Sequence, residues 1–128
     1  IREQNEVEQM HENLHQSISQ QNPEERAITN IAIGFYMSIF ESSPSSKHEF
    51  SIFYNWLDEV KLLVQKLPQF TLYQIRIIID WTFDGENRWA SIIKSPSLFY
   101  KYFPYIAHEA LLDKEFLSEY QEEYIKWW

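Results

Sequence analysis

The sequence predicts an all-α, compact multi-helix domain of about five to seven helices. Only two glycines occur in 128 residues, which argues against a sheet joined by tight hairpins. Apolar residues recur at intervals of three and four along most of the chain. Hydrophobic residues make up 45% and aromatic residues 17%, enough to fill one core. We therefore expect packed helices with an aromatic-rich interior and no sheet.

Residues 1–21 are polar, and we predict a polar N-terminal helix or linker ahead of a helical domain spanning 22–128. The apolar residues of this segment follow one narrow helical stripe: Val7, Met10, Leu14 and Ile18. The same stripe would form the seam if the helix bound a second copy. Because the chain begins at Ile1, we expect a fragment or a processed product.

Two capping boxes predict where central helices begin. Asn22 and Pro23 suit the cap and the first turn, and Glu25 completes the box. Thr71 followed by Gln74 repeats the pattern ahead of a fourth helix. Between them, a serine-rich loop at 42–46 precedes a third helix of about 47–66, which Pro68 ends. The predicted inward positions of the third and fourth helices are Phe50, Phe53, Leu57, Val60, Val64, Leu67, Ile75, Ile78, Ile79 and Phe83.

The remaining chain predicts shorter helices. Asp84-Gly85 ends the fourth helix, short helices follow at about 86–94 and 96–103, and Pro104 ends the second of them. Ser95 and Pro96 provide a cap and a first-turn proline. Trp81 and Trp89 are expected to fill the core between helices. A last helix is expected from about Asp113, carrying Phe116, Tyr120 and Tyr124 at intervals of four.

The segment 11–15 matches the H-E-x-x-H pattern, in which His11 and His15 bind zinc and Glu12 activates a water. The motif lies in a polar segment with no buried flank, which favours a solvated helix face. Elsewhere the sequence has no cysteine, no nucleophile elbow and no phosphate-binding loop. We therefore expect no enzymatic activity, no cofactor and no metal, with a zinc hydrolase as a remote alternative.

The net charge of −8 argues against a nucleic-acid footprint across the whole chain. The middle stretch, 71–103, carries four basic and three acidic side chains. Cations and rings alternate there, as in surfaces that bind single strands. The candidate nucleic-acid residues are Arg88, Trp89, Lys94, Tyr100 and Lys101; solvated surface charges are the alternative.

Aromatic side chains also provide the candidate partner-binding surface, since tyrosine and tryptophan dominate interface hot spots. Ordinary amphipathic packing is the alternative interpretation. The candidate partner-binding residues are Trp89, Phe99, Tyr100, Tyr102, Phe116, Tyr120 and Tyr124.

The middle stretch resembles the C-terminal region of phage and plasmid replication proteins, the replisome organisers and helicase loaders. The resemblance covers about 71–103 and is carried by these residues: Ile79, Asp80, Trp81, Trp89, Ile93, Ser95, Pro96, Leu98 and Phe103. Where the family has a phenylalanine before the second tryptophan this chain has Arg88. Where the family has an arginine after the leucine this chain has Phe99, so a DNA contact through that arginine is not carried over to this position.

In that family this helical region lies beyond an N-terminal DNA-binding domain and takes part in replisome assembly. The resemblance therefore implies a module that recruits or loads the replicative helicase, or binds another replisome protein, with weak single-stranded DNA binding as the alternative. No apolar run approaches the roughly 20 residues that cross a membrane. We expect a cytoplasmic protein without membrane contact, and the sequence leaves its oligomeric state open.

Overall fold

The computed structural model describes residues 2–84 and 87–118. These residues contain seven helices and no strand, which confirms the all-α prediction. None of the described helices is both long and apolar enough to cross a membrane. The helices are α1 Arg2–Gln20, α2 Pro23–Phe40, α3 Lys47–Lys66, α4 Leu72–Asp84, α5 Trp89–Ile92, α6 Pro96–Leu112 and α7 Lys114–Leu117.

The contacts within the chain divide it into two units, Ile1–Gln65 and Lys66–Trp128. α1 lies in the first unit and packs against α2. The predicted division at residue 21 stays a prediction.

The first unit is built on a cluster of aromatic rings from α2 and α3. The Tyr36 ring lies 5.8 Å from Trp56 and 6.1 Å from Phe53, both in edge-on geometry. Phe40 packs on Tyr36 at 4.5 Å, and Phe35 meets Trp56 at 5.8 Å. Offset and edge-on ring pairs add stability beyond the apolar area they bury. The ring cluster is therefore the core of this unit.

The polar helix α1 is held to this unit through a few side chains. Val7 is buried, and Glu6 forms an ion pair with Lys47 at 2.5 Å. The His11 Nε2–H donates to the carbonyl oxygen of Pro44 at 2.7 Å, and the imidazole packs edge-on against Phe50 at 4.7 Å. The prediction of a polar N-terminal helix is confirmed.

Both predicted capping boxes are present. The Asn22 Oδ1 accepts from the Glu25 amide at 2.8 Å, while the Asn22 amide donates to the Glu25 carboxylate at 3.4 Å. The Thr71 Oγ1 accepts from the Gln74 amide, and the Thr71 amide donates to the Gln74 side chain, both at 3.0 Å. Each box satisfies two amides that a helix start would otherwise leave unpaired.

In the second unit, α4 packs against α5 and α6. The predicted inward residues Ile75, Ile78 and Ile79 are buried, and Phe83 is half-buried. Thr82 is also buried, and its hydroxyl donates to the Ile78 carbonyl at 2.7 Å.

The predicted helix end at Pro104 is wrong. α6 continues through Pro104 to Leu112, and Pro104 itself is exposed. The apolar face of α6 is buried on both sides of the proline, so its packing outweighs the one helix hydrogen bond that the proline cannot form. That buried face consists of Phe99, Phe103, Ile106, Ala107 and Ala110.

Candidate functional site

The two central tryptophans are joined by polar contacts inside the second unit. The Trp81 Nε1–H donates to the Asp113 carboxylate at 2.9 Å. Asn87 links the pair, since its side-chain nitrogen donates to the Trp81 carbonyl at 3.0 Å and its side-chain oxygen accepts from the Trp89 amide at 2.8 Å. The prediction that both tryptophans are buried is confirmed.

Glu109 on α6 holds both members of the Arg88–Trp89 pair. The Trp89 indole N–H donates to one carboxylate oxygen, and the Arg88 guanidinium lies 3.1 Å from the other. The guanidinium also lies over the indole, 4.7 Å from the ring centre. Only 5% of Trp89 is exposed, so its ring packs in the core, where a base or a partner does not reach it.

The structure separates the remaining predicted site residues by exposure. Phe99 is fully buried and Tyr102 half-buried, whereas Tyr100, Lys94 and Lys101 are exposed. Tyr120, Tyr124 and the side chain of Phe116 lie outside the described residues. The described members of the two predicted sets therefore differ in exposure. The exposed ones are Arg88 before α5, Lys94 before α6, and Tyr100 and Lys101 on α6.

A groove of about 650 Å³ runs along α6 in the second unit. One wall is the segment 66–70, and the other is the face of α6 that contains Tyr100 and Pro104. Its lining residues are Lys66, Leu67, Gln69, Phe70, Tyr100, Lys101, Phe103, Pro104, Ala107, His108 and Leu111. The volume falls within the ordinary range of binding pockets.

The groove combines cations with aromatic rings. The Lys66 ammonium lies 5.1 Å from the centre of the Tyr100 ring. The Lys101 ammonium lies 5.4 Å from the ring centre of Tyr102, which is outside the groove lining. At its floor, Phe70 and Phe103 meet edge-on at 5.1 Å. Among the described residues, the lining includes no carboxylate, although the whole chain is acidic.

Pro104 changes the hydrogen bonding on this wall. An ordinary residue at this position would donate its amide N–H to the Tyr100 carbonyl, four residues earlier, but proline has no N–H. Tyr100 and Pro104 both line the groove. The Tyr100 carbonyl is therefore left without its regular main-chain donor beside the cavity.

An exposed stripe on α6 continues from the groove. It comprises Lys101, Tyr105, His108 and Leu112, which share one helical face. Tyr105 is 65% exposed and Leu112 62% exposed. The sequence-based prediction missed this stripe, because a helix end at Pro104 would separate Lys101 from the other three residues.

The H-E-x-x-H residues lie on α1 around an open hollow lined by His11, Glu12, His15 and Gln16. His11 is bound to the Pro44 carbonyl. No group of three metal-ligating side chains occurs among the residues that the structure describes. The third ligand that the zinc hypothesis requires is therefore not found in that part of the chain.

Two carboxyl groups have opposite pKa shifts. Hydrogen bonds, chiefly from the Ser45 hydroxyl, lower the pKa of Glu49 in the first unit. Burial raises the pKa of Asp80 on α4, although Arg76 opposes that shift. Burial and the neighbouring Glu49 carboxylate raise the pKa of Tyr36 to about 12, so its phenol remains protonated at neutral pH.

Comparisons with known proteins add no relative. No protein-family model, no curated protein and no solved structure matches this chain.

Proposed function

We propose that this chain is a non-enzymatic protein-interaction module of DNA replication, which recruits or loads the replicative helicase or another replisome protein. We place it in the cytoplasm, where phage and plasmid replication takes place. The groove along α6 is the proposed contact surface.

The observation that carries the proposal is the exposed aromatic surface beside the groove. Tyr100 is 38% exposed and Tyr105 65%, and Leu112 extends the apolar surface along the same helix. Exposed aromatic side chains beside an apolar cavity are typical of protein interfaces, in which a few such residues supply most of the binding energy.

The choice of partner rests on the resemblance to the helical C-terminal region of replisome organisers and helicase loaders. The residues that carry it include Trp81, Trp89, Ser95 and Pro96, and in this chain they have structural roles. The tryptophans fix α4 and α5 against α6, and the Ser95 Oγ caps α6 by accepting from the Leu98 amide at 3.2 Å. These four residues thus support the α6 surface, and Phe103, which also matches, lines the groove.

Direct binding of single-stranded DNA is the alternative, and the contacts favour it less. Of its five candidate residues, Trp89 is buried and Arg88 is paired with Glu109. Stacking on bases requires exposed rings, and affinity for a strand grows with the number of phosphates neutralised. Lys94, Tyr100 and Lys101 remain as a small surface for such a ligand.

The test is capture of purified replicative helicase by the immobilised chain, with a labelled single-stranded oligonucleotide run in parallel at low and high salt. We expect capture of the helicase and little binding of the oligonucleotide. The substitutions Tyr100→Ala and Tyr105→Ala are expected to weaken capture about tenfold or more, as hot-spot truncations do.

Tyr54→Ala is the matched control, because Tyr54 lies in the first unit and is 40% exposed, close to the exposure of Tyr100. It is expected to leave capture unchanged. Salt-sensitive binding of the oligonucleotide without capture of helicase would replace the proposal by the DNA alternative. Binding of neither ligand would overturn both.

A further inference from the structure

We propose that the groove binds an acidic peptide segment of the partner, in which carboxylates flank a bulky apolar side chain. This inference rests on the proposed function and specifies the chemistry of the segment recognised. The carboxylates would pair with Lys66 and Lys101 at the rim, and the apolar side chain would enter the cavity between the segment 66–70 and α6.

The charge of the groove favours an acidic ligand. The groove has two lysines and His108 in its described lining and no acidic residue, whereas the chain as a whole has 19 acidic and 11 basic residues. A local excess of cations within an acidic protein attracts a carboxylate segment to that place and repels it from other parts of the surface.

The positions of the lysines give the second argument. Lys66 and Lys101 each lie over a tyrosine ring, at 5.1 and 5.4 Å from the ring centres. The Lys66–Tyr100 contact joins two residues of the groove lining, whereas Tyr102 lies outside that lining. Each contact restricts a lysine side chain and so reduces the entropy that binding would otherwise cost. An ordered ammonium retains N–H donors for a carboxylate.

The cavity itself gives the third argument. Its lining includes the apolar side chains of Phe70, Phe103, Ala107 and Leu111. A volume of about 650 Å³ is large enough for a bulky aliphatic or aromatic side chain.

The same features disfavour a nucleic-acid strand in this groove. Nucleic-acid binding gains its affinity from many phosphate contacts, and two lysines at the rim supply few. A peptide with a small number of carboxylates needs no more than these, since burial of its apolar side chain supplies further affinity.

The experiment uses a fluorescein-labelled synthetic peptide with a central leucine–phenylalanine pair flanked by glutamates, measured by fluorescence anisotropy with the full chain. Two reference peptides replace the glutamates by glutamines or the central pair by alanines. We expect the acidic apolar peptide to bind at least about tenfold more tightly than either reference.

Lys101→Glu is the test variant and is expected to weaken binding of the peptide about tenfold or more. Lys94→Glu is the matched control, because Lys94 is exposed on the same unit, lies outside the groove lining and changes the net charge equally. It is expected to change binding by less than about twofold. Circular dichroism and thermal melting are used to check that both variants are folded.

The outcomes separate this inference from the proposed function. Helicase capture that neither the peptide nor Lys101→Glu reduces would overturn the groove proposal and leave the proposed function standing. Peptide binding that depends on Lys101, without capture of helicase, would support the groove chemistry and refute the helicase as partner. Equal binding of all three peptides, or preferential displacement by an oligonucleotide, would also overturn the inference.

Discussion

The two units of this protein use aromatic residues in different ways. In the first unit, the rings of Tyr36, Phe40 and Trp56 contact one another and form the core. In the second, rings also pack on rings, as Phe70 does on Phe103. There, in addition, the described cation–ring pairs place Lys66, Arg88 and Lys101 over aromatic rings. The first unit carries four basic and ten acidic residues, and the second seven and nine.

This difference suggests a division of roles. Rings packed on rings stabilise a fold and present little polar chemistry, whereas rings beside cations provide apolar area and charge at the same place. Under the proposed function, the first unit is the scaffold and the second is the recognition unit.

The largest effects are expected from truncating one buried ring in each unit. Phe53 and Phe99 are almost completely buried, so Phe53→Ala and Phe99→Ala are each expected to lower the free energy of unfolding by about 3–5 kcal/mol. Denaturant unfolding measures the loss, and amide hydrogen exchange locates it. Protection should fall first in the unit that carries the substitution; a uniform loss along the chain would show that the contact-defined units do not unfold separately.

A smaller loss is expected when an indole N–H is removed. Trp89→Phe retains an aromatic ring but deletes the hydrogen bond to Glu109, and Trp81→Phe does the same for Asp113. Each substitution is expected to lower the free energy of unfolding by about 1–2 kcal/mol. This is the lower end of the range for a hydrogen bond to a charged acceptor, because Glu109 is partly exposed. Chemical denaturation measures both. A cost near zero for Trp89→Phe would mean that the Glu109 contact does not stabilise the second unit.

Pro104→Ala is expected to act in the opposite direction. Alanine restores an amide donor for the Tyr100 carbonyl, so the free energy of unfolding should rise by about 1–2 kcal/mol, reduced somewhat by the greater freedom of the unfolded chain. Pro96→Ala is the matched control at the first turn of the same helix, where proline is favoured. It should give no gain in stability. A loss of stability in Pro104→Ala would show that the proline is itself required for packing.

The smallest effect expected is a difference in the response to acid. The pKa of Glu49 is lowered in the folded state, so its contribution to stability is present above the ordinary glutamate pKa and is lost as pH falls through the lowered one. The pKa of Asp80 is raised, so the folded state gains stability as that carboxyl takes up a proton. Acidification should therefore lower the stability of the first unit through Glu49 and raise the stability of the second unit through Asp80. Comparing unfolding of Glu49→Gln and Asp80→Asn with the parent chain between about pH 6 and 3 tests both signs.

The parts of the fold that local chemistry determines were predictable. The starts of α2 and α4 depend on Asn22 with Glu25 and on Thr71 with Gln74, and each pair lies within one helical turn. On α3 the helical spacing correctly predicted most of the buried residues. The exception is that Leu63 is buried and the predicted Val64 is only half-buried. Adjacent apolar positions near the edge of a face cannot be ranked without the packing partners.

The groove was less predictable, because its walls come from distant parts of the sequence. Residues 66–70 contribute one wall and residues 100–111 the other, and no local spacing links them. Phe99 was a predicted partner residue but faces the core, while Tyr100, next to it, faces the groove. The error at Pro104 has the same origin, since the burial that keeps α6 intact is a tertiary effect.

The contact between His11 and Pro44 determines the tautomer of the imidazole. A carbonyl oxygen only accepts hydrogen bonds, so the proton of the neutral ring must be on Nε2, and Nδ1 has the lone pair. In ¹⁵N spectra of the neutral ring, Nε2 should show a pyrrole-type shift and Nδ1 a pyridine-type shift. Any metal bound by His11 would have to use Nδ1 or first break the contact that attaches α1 to the loop before α3.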